Sequence, residues 1–291
     1  MKHYTLLTIL ITCCLSGTFA SAKPHAVIVV GTHHYNPERS MPPFARILEE
    51  QGFRCTLLIP EGNPEMNKNG TGIPGLEVLS EADLAIFFMR FLTLDDEQFG
   101  HIERYVKSGK PVVGFRTSTH SFKYPKDHPR FRWNQDFGRR VLGTSYVMHQ
   151  SGSTTCEVVA KHAQHEILQG LSTTNFISPG TLYLTRLEPG CKPLVIGHGK
   201  SRGDQLREGG FGTFFAHEDE TDIVAWVWEN EWGGKVFCSS FGHVGDFASE
   251  PIMRILINGV CWAVGHDLPA ADSSIHTLEV TPPQKKKRKR N

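Results

Sequence analysis

Pro111-Val-Val-Gly-Phe-Arg116-Thr-Ser-Thr-His120 decides how this chain is read. Val112 to Phe115 is a short apolar run, the mark of a strand buried on both faces. It breaks directly into guanidinium, hydroxyl and imidazole groups. In an open α/β sheet, ligands bind just beyond the carboxyl ends of the strands. A buried strand that delivers Arg116, Thr117, Ser118, Thr119 and His120 at its end therefore marks a candidate site edge.

The flanking segments supply the rest of such a sheet. His25 to Val30 reads as a first strand, followed by a turn at Gly31-Thr32-His33-His34. Pro42 and Pro43 suit a helix start. Phe44, Ile47, Leu48 and Gln51 continue it at helical spacing, and Gly52 stops it. Arg54 to Ile59 is a second strand. Residues 60–75, with many Gly, Pro and Asn, read as an exposed loop. Asp83 to Phe88 is a third strand, ending at Met89 and Arg90. Thr93 or Asp95 caps the next helix, whose apolar face is Phe99, Ile102 and Val106, with Gly109 as its stop. Strands alternating with helices at this spacing predict βαβ units and a parallel sheet with helices on both faces.

Residues 121–220 are less regular. Phe122, Tyr124, Phe131, Trp133 and Phe137 alternate with Lys and Arg, a pattern that suits either a cover for the sheet edge or the lining of a ligand groove. Ile223–Trp228 and Lys235–Phe241 are strand-like, and Gly233-Gly234 joins them as an antiparallel hairpin. Pro251 opens a last helix, with Ile252, Ile255, Leu256, Gly259 and Ala263 on one face.

The chain of 291 residues carries a net charge of +1, so its body has no general attraction for nucleic acid. Residues 1–22 read as a signal peptide: Lys2 and His3, an apolar run from Leu6 to Leu15, and Ala20-Ser21-Ala22 as a cleavage site. Export to a periplasm or beyond is the expectation. The α/β domain then covers 23–266. Residues 267–291 read as a disordered tail that ends in the basic run Lys285–Arg290, suited to touching anionic envelope surfaces. Cys55, Cys156, Cys191, Cys238 and Cys261 lie after the leader with no close pair. One or two disulfides stay open, while Cys55, Cys238 and Cys261 sit in apolar runs that suit buried thiols.

An ordered set of motifs resembles the ThuA-like family, named for trehalose utilisation. Gly234-Lys-Val-Phe-Cys-Ser-Ser-Phe-Gly-His243, Asp246, Pro251 and Asn258-Gly-Val-Cys-Trp-Ala263 are similar to its closing pattern. Phe137-Gly138, Leu142-Gly143 and His149 look like a second segment, and His165-Glu-Ile-Leu-Gln-Gly-Leu171 like a third. Residues 111–120 fall where the family carries a glycine- and histidine-bearing turn; here Arg116 stands at the usual histidine and His120 follows four residues later. The resemblance spans about residues 25–265. It implies a flavodoxin-like sheet related to class I glutamine amidotransferases, and a link to sugar metabolism.

The chemistry expected at the strand ends follows from residue type. Cysteine is absent from 111–125, which argues against thiol-based amide transfer, and G-x-S-x-G is absent, which argues against a serine nucleophile at Ser118. His33, His120 and His243 are the candidate acid–base groups, with Asp246 to orient His243 or take a proton. His34, Arg90, Arg116, Thr117, Ser118 and Trp133 are the candidate substrate contacts, arginine through its planar fork and tryptophan by stacking on a sugar ring. No cofactor is expected, since phosphate-cradling glycine loops are missing. A divalent metal such as zinc stays open, with His33, His34, His120 and His243 as nonlocal ligands. The expected ligand is a small carbohydrate, turned over by hydrolysis or isomerisation. The alternative is a noncatalytic sugar-binding or envelope scaffold module.

Overall fold

A computed structural model describes residues 22–67, 72–201, 206–209, 212–215 and 219–281; for 206–209 and 212–215 it describes the backbone. The candidate signal peptide up to residue 21 and the basic run 285–290 lie outside the described residues. The strands are β1 (His25–Gly31), β2 (Arg54–Leu58), β3 (Leu84–Met89), β4 (Val112–Phe115), β5 (Met148–His149), β6 (Ser151–Val158), β7 (Asn175–Ser178), β8 (Tyr183–Leu184), β9 (Lys192–Lys200), β10 (Leu206–Gly209), β11 (Gly212–Phe215), β12 (Glu220–Glu229) and β13 (Lys235–Ser239). The α-helices are α1 (Pro37–Glu50), α2 (Asp96–Lys107), α3 (Trp133–Asp136) and α4 (Glu250–Val264).

Nine strands form one sheet in the order β2-β1-β3-β4-β13-β12-β9-β6-β7. The first five are parallel, and their order is the flavodoxin-like arrangement. From β13 onward each neighbour is antiparallel, beginning with the β12–β13 hairpin. Strands β1, β3 and β4 are buried at every residue, as their unbroken apolar runs require. Alternation divides them between two cores. Ala26, Ile28 and Val30 face α1 and α4 with Phe44, Leu48, Ile255 and Leu256. Val27 and Val29 face α2 with Phe99, Ile102 and Val106. Gly259 is where α4 touches the sheet: a Cβ there would lie 2.2 Å from the Phe237 ring.

Several local expectations meet the structure directly. Asp95 caps α2, its carboxylate accepting the Gln98 N–H at 2.9 Å. Gly265 (φ 67°) ends α4. Others are corrected. Helix α1 begins at Pro37, with Pro42 and Pro43 inside it. The missing N–H groups are tolerated because Met41, Phe44, Ala45 and Leu48 are buried around them. The irregular stretch 121–220 holds β5 to β11, of which β9, β6 and β7 extend the sheet by three strands. The tail is ordered further than its composition suggests. Leu278 N–H bonds the Phe247 carbonyl at 2.7 Å, Ile275 is buried, and buried Arg254 holds the carbonyls of Ala270 and Ser273. Residues 267–281 thus cover the outer side of α4. All five described cysteines are free.

Candidate functional site

The ends of the parallel strands are built with unusual backbone. Five non-glycine residues among those described have left-handed φ: Tyr35 (69°), Asn36 (57°), Met66 (52°), Phe91 (49°) and Arg116 (44°). Tyr35 and Asn36 follow β1, Phe91 follows β3 and Arg116 follows β4. Met66 donates its N–H to the Phe91 carbonyl at 2.6 Å. All five therefore surround one crevice. Side chains with a Cβ adopt this conformation at a cost, and such strain gathers where geometry serves function.

Arg116 is the hub. It is 1% exposed, and its guanidinium lies between the rings of Tyr35 (4.0 Å) and Tyr183 (4.6 Å). It donates to the Ser240 carbonyl (2.7 Å) and to Thr181 Oγ1 (3.3 Å). Its burial removes it from direct ligand contact; it positions the two tyrosines.

His120 lies in the next layer, 8% exposed, with its ring against Tyr146 (4.3 Å), Phe91 (5.2 Å) and Tyr183 (5.9 Å). Burial, then the charges of Arg90, His34, His149 and Arg116, hold its pKa well below 6.5. His34, on the outer side of Tyr35, is lowered to about 4 by partial desolvation and by Arg90. His149 bonds the Tyr146 hydroxyl. Arg90 donates to Glu65 at 2.9 Å, and Glu65 also accepts from Thr32. His34 and His120 are therefore neutral imidazoles at pH 7, the form that accepts a proton.

That neutrality has a measurable consequence. His34 and His120 stay unprotonated in the fold but protonate in the unfolded chain below pH 6.5. The unfolded state then binds more protons, so stability falls as pH falls. The expected urea midpoint is flat above pH 7 and drops from about pH 6.5 downward. The His34 share levels off near pH 4, where the folded protein also takes up its proton. A midpoint independent of pH across that range would show that these imidazoles are not held neutral.

The remaining sequence candidates have other positions. Ser118 is fully buried, with its hydroxyl against the carbonyls of Phe87 (2.6 Å) and Phe115 (2.9 Å). Thr117 Oγ1 and His33 Nε2 are buried with no hydrogen-bond partner. Asp246 is fully buried and accepts from the N–H groups of Gly242 (2.8 Å) and His243 (2.9 Å) and from Ser178 Oγ (2.6 Å). His243 Nδ1 in turn accepts from Gly245 N–H at 3.2 Å, and its ring faces Tyr35 at 5.8 Å. His243 and Asp246 thus form a capping box for the turn after β13. Burial lowers the pKa of His243 as well. Trp133 packs edge-on against Phe99 at 5.1 Å.

Its neighbours in the aromatic and basic stretch do line a groove. A cleft of about 460 Å³ runs between Phe91, Lys123, Phe131, Arg132, Arg139 and Tyr146. Phe91 and Tyr146 are also the rings against His120, so cleft and crevice share a wall. Tyr35, Glu65, Tyr146, His149 and Tyr183 complete the arrangement. Sequence reasoning assigned none of them to the site. His149 alone had a signal, its place in a family-like segment. Among the described residues no group of three or more His, Cys, Asp or Glu side chains is arranged to hold a metal ion.

A flavodoxin-like sheet with its candidate site at the β1/β3 crossover defines the class. The chain belongs to the ThuA family (trehalose utilisation), whose model matches residues 26–263. Crystal structures of ThuA-like proteins share the fold. That from Parabacteroides merdae ATCC 43184 superposes with a TM-score of 0.57 at 15% identity, covering 89% of this chain and 98% of that one. That from Bacteroides uniformis ATCC 8492 gives 0.54 at 15% identity, covering 85% and 94%. A comparison with curated protein sequences yields no significant match.

Proposed function

We propose that this ThuA-family protein is exported and acts on a carbohydrate or sugar derivative by acid–base chemistry, as a hydrolase or isomerase, in the crevice beyond β1, β3 and β4. The supporting observation is the meeting of neutral His34 and His120 with Arg90 at the crevice, His34 exposed at the rim and His120 packed behind the rings of Phe91, Tyr146 and Tyr183. His120 is the proton acceptor, because it is kept neutral and lies next to the cleft. Arg90, tethered by Glu65, holds sugar oxygens at the rim. Phe91, with the Arg90 and Lys123 cations over its ring, and Tyr146 form the shared wall, and Phe131, 42% exposed, offers a flat face to the apolar side of a sugar ring across the cleft. A volume near 460 Å³ suits one or two sugar units. Export rests on the leader-like residues 1–22.

The test is a thermal-shift screen of the chain lacking residues 1–22, followed by product analysis. Neutral sugars, keto-sugars and sugar acids are each tried with zinc and with a chelator. A ligand that binds the native state raises the midpoint. The expected result is a rise with one sugar class that is lost in Arg90→Ala, together with a product absent in His120→Gln. A rise without any product supports the noncatalytic sugar-binding module. A rise with metal alone puts a metal site first, and no response to any sugar overturns the proposal.

A further inference from the structure

A buried arginine without a carboxylate partner requires explanation. Guanidinium does not lose its proton in proteins, so Arg116 carries its charge into the interior. Among the described residues no carboxylate lies within 4 Å of it; it donates to the Ser240 carbonyl, to Thr181 Oγ1 and to the Tyr35 phenol, and Nε has no hydrogen-bond partner. Asp246 is near enough to attract it, but its oxygens are taken up elsewhere, one by the Gly242 and His243 N–H groups and the other by Ser178 Oγ on β7. The groups against the guanidinium are the phenols of Tyr35 and Tyr183. We infer that Tyr35 ionises as the counter-anion of Arg116 and is a second proton-transfer residue of the crevice, taking a proton from a sugar hydroxyl.

The two phenols are not equivalent. Tyr183 is 4% exposed, and burial pushes its pKa well above 10. It therefore keeps its proton and donates to Tyr35. Tyr35 is half-buried. Burial opposes its ionisation, but the Arg116 charge and hydrogen bonds from Tyr183, Arg116 and Thr181 outweigh that and lower its pKa. The charged and titratable groups around it are His34 at 4.2 Å on its own turn, His243 at 5.8 Å from the turn after β13, Arg116 from β4 and Tyr183 from β8. Asp246 stands behind Arg116, and His120 and Tyr146 stand behind Tyr183.

The proton-transfer role rests on the carbohydrate reading; the ionisation does not. In the transfer, the sugar O–H bond breaks, its electron pair stays on the sugar oxygen, and the proton moves to Tyr35 Oη. The neutral phenol remains hydrogen-bonded beside Arg116 and returns the proton at the end of the cycle.

The test is a titration followed in the tyrosinate near-ultraviolet band on the chain lacking residues 1–22. Tyr105, Tyr124 and Tyr183 are all pushed above 10 by burial, so an early step stands apart from them. One tyrosine is expected to ionise below pH 10. The step should vanish in Tyr35→Phe and persist, moved upward, in Tyr183→Phe. No early step, or one that survives Tyr35→Phe, overturns the inference. With a sugar identified by the screen, Tyr35→Phe is expected to lower turnover at least ~10²-fold and remove one arm of the pH–rate profile. Unchanged turnover overturns the proton-transfer role. An early step without turnover of any sugar refutes the carbohydrate reading instead.

Discussion

Asp246→Ala is expected to destabilise the folded protein by about 3–5 kcal/mol, since three buried donors lose one charged acceptor. The Gly242 and His243 N–H groups and the Ser178 hydroxyl all point at this carboxylate. Ser178 lies on β7, at the far edge of the antiparallel half, and the turn follows β13 at the centre. The carboxylate therefore joins the two halves of the sheet at the crevice floor. Asp246→Asn keeps one acceptor oxygen but turns an NH₂ toward a donor, so a smaller loss is expected, about 2 kcal/mol. Urea unfolding at pH 7 with an unchanged slope measures both. Alanine within 0.5 kcal/mol of wild type would mean that these hydrogen bonds do not carry the turn. Turnover abolished at unchanged stability would return Asp246 to the role of proton carrier.

The parallel half was legible because β1, β3 and β4, buried at every residue, stand out as apolar runs. Val112–Phe115 and the Asp95 cap can be read from a few adjacent residues. The antiparallel extension was not, since β6 and β7 each expose one face and carry Ser, Thr and Asn. Their alternation is weak, and their partners are distant in sequence. The order of residues 267–281 was hidden for a related reason: Pro, Ser and Ala show no period, and they are held by Arg254, whose role depends on tertiary contact. At the site, His34, Arg90, Arg116 and His120 could be assigned to strand ends from local sequence. What each side chain does there could not. Arg116 and Asp246 read as ligand or proton groups, yet both are buried and engaged by the protein. Tyr183 enters through a β8 that has only two residues, and Tyr35 lies in the turn after β1, which carries no periodic signal.

His120→Gln is expected to lower turnover of the responsive sugar by about 10²–10⁴-fold, the usual span for loss of a positioned general base. Glutamine approximates the ring's volume and its hydrogen-bonding edge but cannot take up a proton. The fall should lie in kcat, with KM changed little, because Arg90 and the cleft's aromatic faces still hold the ligand. In wild type, kcat/KM should decline on acidification only well below pH 6.5, since burial and Arg90 keep His120 neutral to lower pH. The same substitution removes one proton uptake of the unfolded chain. The acid-side slope of stability should flatten by up to about 1.4 kcal/mol per pH unit. That paired readout separates chemistry from packing. A variant that only loosened the Phe91–Tyr146 wall would lose stability at every pH and leave the slope unchanged. Loss of turnover together with a flattened slope assigns both effects to one neutral imidazole. Full activity in His120→Gln would transfer the proton acceptor's role to Tyr35, where Arg116 already supplies a compensating charge.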